Sequence, residues 1–190
     1  MKMPPLIQTG ETAVILAALQ FTVQKHLRQM CQDFDSGIYL NQRIVVTDIL
    51  SRIGHVTDTT ILTAAILHHV FDDTHTLRLE LDQHFGPEVR YLVQELAEDK
   101  SASETNRMLT QVERAPTLSF RAKIIMLAEK ISNLQDISTT HPMDWPLERK
   151  CAYMTWLVQI VANYRGVNSY LEQYFDELLQ SRMEMIRFTQ

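Results

Sequence analysis

Apolar residues recur along most of this chain at spacings of three and four, the pattern of amphipathic helices. Alternating apolar and polar runs bounded by turn signals are absent from the sequence, and glycine occurs only 5 times. The pattern predicts one helix after residue 57 and others over about 11–30, 44–53, 87–97, 103–113, 119–136, 146–164 and 168–185. We therefore predict an all-α bundle of roughly eight helices, in a single domain that comprises residues 1–190.

Capping and breaking residues indicate where several of these helices begin. Thr9 is suited to cap the first helix, and Thr57 or Asp58 is suited to cap the third. A Gly-Pro pair interrupts the pattern and places Pro87 in the first turn of the helix that follows. Residues 33–41 are predicted to form a looser stretch between the first two helices.

Composition narrows the class of protein. A length of 190 residues and a hydrophobic content of 45% suit one globular domain with a substantial core. The formal net charge of -5 argues against a general surface for nucleic acid. The sequence has no apolar run long enough to span a membrane, no evident signal peptide and no closely spaced cysteine pair. We expect a cytoplasmic protein that binds neither nucleic acid nor membranes, and the oligomeric state stays open.

The richest chemistry follows the apolar run after residue 60, where two histidines and two aspartates fall within six positions. If the helix continues, His68 lies near Asp72 and His69 near Asp73, because residues four apart share a face. Imidazole and carboxylate are ligands for divalent metals, and an acidic pair can activate water. The alternative is an ordinary helix end, with histidines that favour the helix dipole and aspartates that face solvent.

Two further groups could carry chemistry. Glu129 and Asn133 are four residues apart and can point into one site, although a solvated stripe on an amphipathic helix explains them more simply. Lys25 and His26, followed by the polar segment 39–42, could bind an anion, but surface positions again explain them more simply. Glycine-rich phosphate loops and the GxSxG and HExxH motifs do not occur in the sequence.

The order and spacing of these segments resemble the HD-domain hydrolases of the small alarmone hydrolase type, the metazoan SpoT homologues. The resemblance extends from about residue 25 to about residue 182. It is carried by residues 39–42, 64–74, 85–89, 98–100, 121–123, 127–134 and 164–168. The family implies an all-α HD fold, one bound Mn²⁺, and removal of the 3′-pyrophosphate from guanosine tetra- and pentaphosphate.

The same resemblance assigns the metal ligands to positions at which this chain departs from the family. An early histidine of the family is Gln42 here, the aspartate of the His-Asp doublet is His69, and a late aspartate is Glu129. The doublet keeps its histidine as His68. This set contributes one negative charge instead of two, and adjacent imidazoles on one helix diverge by about 100°. If two contacts are lost and each is worth about 1.5–3 kcal/mol, affinity for Mn²⁺ falls by about 10²–10⁴-fold.

The resemblance also assigns the remaining roles. Asp72 and Asp73 correspond to the acidic pair that positions the attacking water. The resemblance implies a guanosine polyphosphate or a related phosphorylated nucleotide as substrate, met by Lys100, Arg107, Asn133 and Tyr153. We expect Lys25 to be a further contact with the phosphates. We therefore expect a diverged pyrophosphohydrolase whose metal-dependent hydrolysis is weakened or lost. The alternative is a catalytically inert interaction or scaffold protein that has kept the HD fold.

Overall fold

The computed structural model describes residues 10–29, 36–139 and 145–188, and the regular structure within these ranges is helical. The α-helices are α1 (Glu11–Gln29), α2 (Ser36–Asp48), α3 (Thr59–Leu67), α4 (Val70–Asp73), α5 (Arg78–Leu96), α6 (Glu104–Arg114), α7 (Phe120–Thr139), α8 (Leu147–Val161) and α9 (Ser169–Phe188). A π-helical turn covers Ile49–Ile53, and short 3₁₀ turns cover Ala115–Thr117 and Ala162–Tyr164. The all-α prediction is confirmed. Within these ranges no helix is both long and apolar enough to cross a bilayer.

The second helix is longer than predicted. It begins at Ser36, so the described part of the stretch 33–41 is helical rather than loose. Helical structure then continues to Ile53 and ends at Gly54, where we predicted a stop. The polar residues that suggested a loop include Asn41, which lies on the exposed side of the helix. The predicted cap Thr9 and residues 33–35 lie outside the described residues.

Two helix starts follow the chemistry of their first residues. Asp58, rather than Thr57, caps α3, because its side chain accepts hydrogen bonds from the backbone N–H groups of the next turn. Within α5 the chain kinks at Gly86, whose φ of +83° is one that residues with a side chain rarely adopt. Pro87 then opens the second half of α5, as predicted.

The described helices form two compact units. The first contains the described residues up to Thr47 together with Val56–Ser101, and the second contains Asp48–His55 and the described residues from Ala102 onward. In the first unit α3 packs against α1 and α5, and in the second α7 packs against α8 and α9. All of Ile61–Leu67 is buried, which explains why this part of α3 is apolar apart from Thr63. The single domain expected from the length stays a prediction.

Asn168 connects two segments of the second unit and yields a test of the fold. Its Oδ1 accepts hydrogen bonds from the N–H groups of Tyr170 and Leu171, both at 3.1 Å, and so caps α9. Its Nδ2 donates to the carbonyl oxygen of Gly54 at 2.8 Å. We expect Asn168→Ala to lower the free energy of unfolding by roughly 2–3 kcal/mol, since both the cap and the hydrogen bond are lost.

The measurement is urea unfolding followed by circular dichroism. Asn168→Asp is the matched variant, because an aspartate keeps the cap but cannot donate to Gly54. Its loss of stability should therefore be smaller than that of the alanine variant. Equal stability of Asn168→Ala and the unsubstituted protein would show that these bonds contribute nothing.

Candidate functional site

His68 and His69 lie between two helices rather than within one. Because α3 ends at Leu67 and α4 begins at Val70, the continuous helix assumed from the sequence is wrong. His69 has φ −101° and ψ 7°, a bridge conformation that lies outside the α-helical region. The two ring centroids are 3.9 Å apart, with their planes tilted by 43°. The predicted divergence of the two imidazoles is therefore also wrong.

Each of these imidazoles is anchored through its Nδ1 atom. Nδ1 of His68 lies 2.5 Å from the carbonyl oxygen of Ala65, and Nδ1 of His69 lies 3.2 Å from Oδ2 of Asp72. Because an oxygen acceptor selects the tautomer protonated at Nδ1, each neutral ring carries its lone pair on Nε2. Histidines that bind metal ions are commonly oriented in this way. Ligand nitrogens of the two rings lie within 4.8 Å of one another, so this part of the site fits a divalent metal.

Asp72 is a buried partner of the second imidazole. Its side chain is only 3% exposed, and its Oδ1 also accepts a hydrogen bond from the backbone N–H of Glu98 at 3.2 Å. The contact between His69 and Asp72 joins residues three apart, so the predicted pairs four apart do not describe this cluster. The interpretation as a solvated helix end is wrong, because this carboxylate is removed from solvent.

Asp73 lies among cations. Its side chain is 12% exposed; Oδ2 forms an ion pair with Arg43 and Oδ1 forms one with Lys100. His26 is also close, with Nε2 at 3.6 Å from Oδ2. Asp73 therefore links two cations. One is Lys100, which was predicted to meet phosphate, and the other is Arg43, which was not among the predicted site residues.

That missed cation is Arg43 on α2, whose side chain is 1% exposed. Its Nη2 contacts both Asp73 and Nε2 of His26, the latter at 3.2 Å. The signal was present in the sequence, because Arg43 precedes the buried Val46 and Leu50 by three and seven residues. A cation at a position that the helical period assigns to the core indicates a buried charge with a partner.

His26 is held in one tautomer by this arrangement. Its Nδ1 donates to the carbonyl oxygen of Thr22 at 2.7 Å, which leaves Nε2 to accept from Arg43. Burial lowers the pKa of His26; the bond to Thr22 opposes this shift, and the charges of Arg43 and Lys100 add to it. The imidazole is therefore a neutral link between the backbone of α1 and the guanidinium.

Lys25 and Gln42 complete the predicted residues of the first unit. Lys25 is largely buried and forms an ion pair with Glu80 at 2.5 Å, so the surface interpretation of Lys25 and His26 is wrong. Gln42 lies half-buried on α2, directly before Arg43. The first unit thus contains the histidine doublet, the acidic pair and Lys100. It also contains Lys25, which is paired with Glu80 rather than with the acidic pair.

In the second unit Glu129 is buried rather than part of a solvated stripe. Its Oε1 accepts a hydrogen bond at 3.1 Å from Nζ of Lys130, which is itself buried. Nζ of Lys130 also donates to Gln111 at 2.7 Å and lies 5.1 Å from the ring centre of Trp156. The solvated-stripe interpretation is wrong, because a charged pair with these partners is fixed inside the unit.

Asn133 and Tyr153 are brought together in the same unit. Burial raises the pKa of the Tyr153 hydroxyl far above its usual value, the negative charge of Glu129 adds to the rise, and a hydrogen bond with Asn133 opposes it. Tyr153 is therefore a neutral phenol at neutral pH and does not act as a base. Arg107 lies half-buried on α6 of this unit.

Comparison with known proteins decides the family. Residues 13–153 match the profile of the HD domain family. The chain belongs to the HD domain family. Its relatives include the guanosine-3′,5′-bis(diphosphate) 3′-pyrophosphohydrolase MESH1 of Xenopus tropicalis, 37% identical over 174 residues, which are 92% of this chain and 97% of that protein. MESH1 of Drosophila melanogaster is 38% identical over 174 residues, with the same two shares of 92% and 97%.

Solved structures agree with this assignment. The structure of a metazoan orthologue of SpoT that hydrolyses ppGpp has a TM-score of 0.79 and 37% identity, and the match covers 92% of this chain and 98% of that one. A protein of Listeria monocytogenes, with a TM-score of 0.61 and 22% identity over 75% of this chain and 99% of its own, shows the fold alone. The present chain is thus an HD-domain protein of the metazoan SpoT homologue type, as the sequence blocks predicted.

The neutral His26 of this HD-domain protein predicts a dependence of stability on pH. The unfolded chain takes up a proton at this histidine near its ordinary pKa of 6.5, whereas the folded protein does so only at lower pH. The contribution of His26 to the free energy of unfolding should therefore be fully present above about pH 6.5 and should decrease as the pH falls below that value. His26→Gln cannot take up this proton, so its stability should fall less steeply.

Urea unfolding at about pH 7.5 and about pH 5.5 measures the difference between the two slopes. His75→Gln, a change at an exposed histidine, controls for the substitution itself. Identical slopes for His26→Gln and the unsubstituted protein would contradict the assignment of a neutral, buried His26.

Proposed function

We propose that this HD-domain protein is a metal-dependent hydrolase that removes the 3′-pyrophosphate from a guanosine polyphosphate, and that it holds its metal less tightly than its relatives do. One observation supports this most strongly: His68 and His69 converge, each anchored through Nδ1. This donor pair occurs in a chain that covers 97% of a relative named as a guanosine-3′,5′-bis(diphosphate) 3′-pyrophosphohydrolase.

Four residues would hold the ion, which we propose to be Mn²⁺. They are His68, His69, Glu129 and, through its neutral amide, Gln42. This set supplies one anionic oxygen donor, whereas the family pattern supplies two. Because Mn²⁺ favours anionic oxygen, the protein should bind Mn²⁺ more weakly than its relatives do. When bound, the ion would supply positive charge that stabilises the negative charge developing on the phosphoryl oxygens.

Asp72 and Asp73 would orient the water that attacks the phosphate. A carboxylate has about four acceptor positions, so each can accept from a water in addition to its protein donors. The water oxygen forms a bond to the phosphorus next to the ribose, and the bond between that phosphorus and the ribose 3′ oxygen breaks. The 3′ oxygen receives a proton, and pyrophosphate leaves. Because both carboxylates are already fixed by protein donors, little reorganisation accompanies this step.

The cations and polar groups of the site would bind the substrate. Lys100 is 35% exposed while paired with Asp73, so its amine can meet a phosphate without leaving its anchor. Lys25, held by Glu80, would be the second phosphate contact. We assign contacts with the nucleotide to Arg107, Asn133 and Tyr153, as the family resemblance implies.

Release of pyrophosphate from guanosine tetraphosphate by the purified protein, with a titration of Mn²⁺ and metal analysis, tests the proposal. We expect slow turnover that requires added Mn²⁺ and is lost on chelation. Asp73→Asn should lower turnover by at least about 10²-fold, since the water loses its orienting carboxylate. Asp99→Asn, the same change at an exposed aspartate, should leave turnover unchanged. Absence of both metal and turnover at high Mn²⁺ would instead indicate an inert scaffold.

Reversion to the family pattern tests why the metal is held weakly. The variant with Gln42→His, His69→Asp and Glu129→Asp should bind Mn²⁺ about 10²–10⁴-fold more tightly, because position 69 again supplies an anionic oxygen and position 42 an imidazole in place of a neutral amide. Isothermal titration with Mn²⁺ measures the dissociation constant. Gln83→His, which adds an imidazole at an exposed position, is the control. An unchanged dissociation constant in the triple variant would mean that these positions do not limit metal binding.

A further inference from the structure

The buried guanidinium of Arg43 is not accounted for by hydrolysis alone. A charged group that is 1% exposed carries a large desolvation cost, and an apolar side chain of similar volume would avoid it. Such a charge is stable only when its partners are fixed and close. In the first unit those partners include the carboxylate of Asp73 and the imidazole of His26.

The geometry links this guanidinium to a residue that meets solvent. Arg43 holds Oδ2 of Asp73 from the buried side, and Lys100 binds the other oxygen, Oδ1, from the exposed side. The carboxylate therefore lies between two cations, one fixed in the core and one partly in water. A change in the orientation of Asp73 must displace the amine of Lys100 as well.

The neighbouring groups make the guanidinium rigid. Nη2 also donates to Nε2 of His26, whose Nδ1 is bound to the carbonyl oxygen of Thr22 in α1. An arginine can serve such acceptors in one fixed plane, whereas a lysine presents a compact charge on a flexible stem. The chain of contacts thus runs from the backbone of α1 through the guanidinium to the carboxylate.

We propose that Arg43 is a positioning residue: it fixes Asp73 and, through Asp73, holds Lys100 where that amine binds the phosphate of the substrate. The charge of Arg43 is permanent, so this arrangement exists whether or not a metal ion is bound. The inference rests on the proposed function only for the identity of the substrate. It predicts that the unloaded protein already binds a diphosphate group through Lys100.

Isothermal titration with inorganic pyrophosphate in the presence of a chelator tests the inference without any turnover. We expect Arg43→Met and Lys100→Met each to raise the dissociation constant by about tenfold, the effect of losing one charge-assisted contact. The double variant should bind no more weakly than Lys100→Met alone, because Arg43 acts through Lys100. Arg43→Lys should lie between the unsubstituted protein and Arg43→Met. Arg78→Met, which removes an exposed arginine of the first unit, should have no effect.

A second variant separates positioning from simple charge. Asp73→Asn removes a negative charge, which alone would strengthen binding of an anion. If Asp73 positions Lys100, the same variant must bind pyrophosphate more weakly. Tighter binding by Asp73→Asn would overturn the inference, as would additive losses in the double variant.

The titration also distinguishes a structural role, because it reports the number of competent sites separately from the affinity. If Arg43→Met only destabilised the fold, the number of sites would fall while the dissociation constant stayed the same, and the inference would be wrong. Absence of pyrophosphate binding by the unsubstituted protein would overturn it too. The proposed hydrolysis is tested separately, by turnover in the presence of Mn²⁺. A negative result in one of the two experiments therefore does not decide the other.

Discussion

The end of α3 at Leu67 is the constraint on which the site of the first unit depends. A helix continued through His68 and His69 would direct the two rings about 100° apart and would leave the acidic pair on different sides. Because the helix stops, the two rings lie side by side with their planes tilted by 43°, and Asp72 reaches the second of them. The unit thus obtains a convergent pair of nitrogen donors from a sequence in which their adjacency suggested the opposite.

Each of the two units contains a buried ion pair. Arg43 with Asp73 in the first, and Lys130 with Glu129 in the second, are ion pairs whose members are wholly or largely removed from water. Breaking such a pair leaves an uncompensated charge, which typically costs about 3–5 kcal/mol. Each pair therefore keeps a carboxylate in one place, and each of these carboxylates stands at a position to which the family resemblance assigns a role.

The sequence predicted the helices well because their apolar spacing and their caps are local properties. Asp58 and the Gly-Pro pair before α5's second half depend only on neighbouring residues, and both act as expected. The site was harder to predict because it depends on partners distant in sequence. The partner of Lys25 is Glu80, which is 55 residues away along the chain, so the local pattern indicated only a surface charge. Glu129 lies on an amphipathic helix, and its burial depends on the packing of that helix. No glycine or proline follows Leu67 directly, so the sequence contains no local signal for the end of α3.

The distribution of aromatic residues has a consequence for spectroscopy. The chain has two tryptophans, Trp145 and Trp156, and both belong to the second unit. Tyr153 lies between them, with its ring centre 5.6 Å from that of Trp145 and 5.2 Å from that of Trp156. Intrinsic tryptophan emission therefore originates in the second unit alone, and the histidine doublet and Arg43 have no indole within their own unit. A fluorophore introduced into the first unit would add a second, independent optical signal from the same molecule.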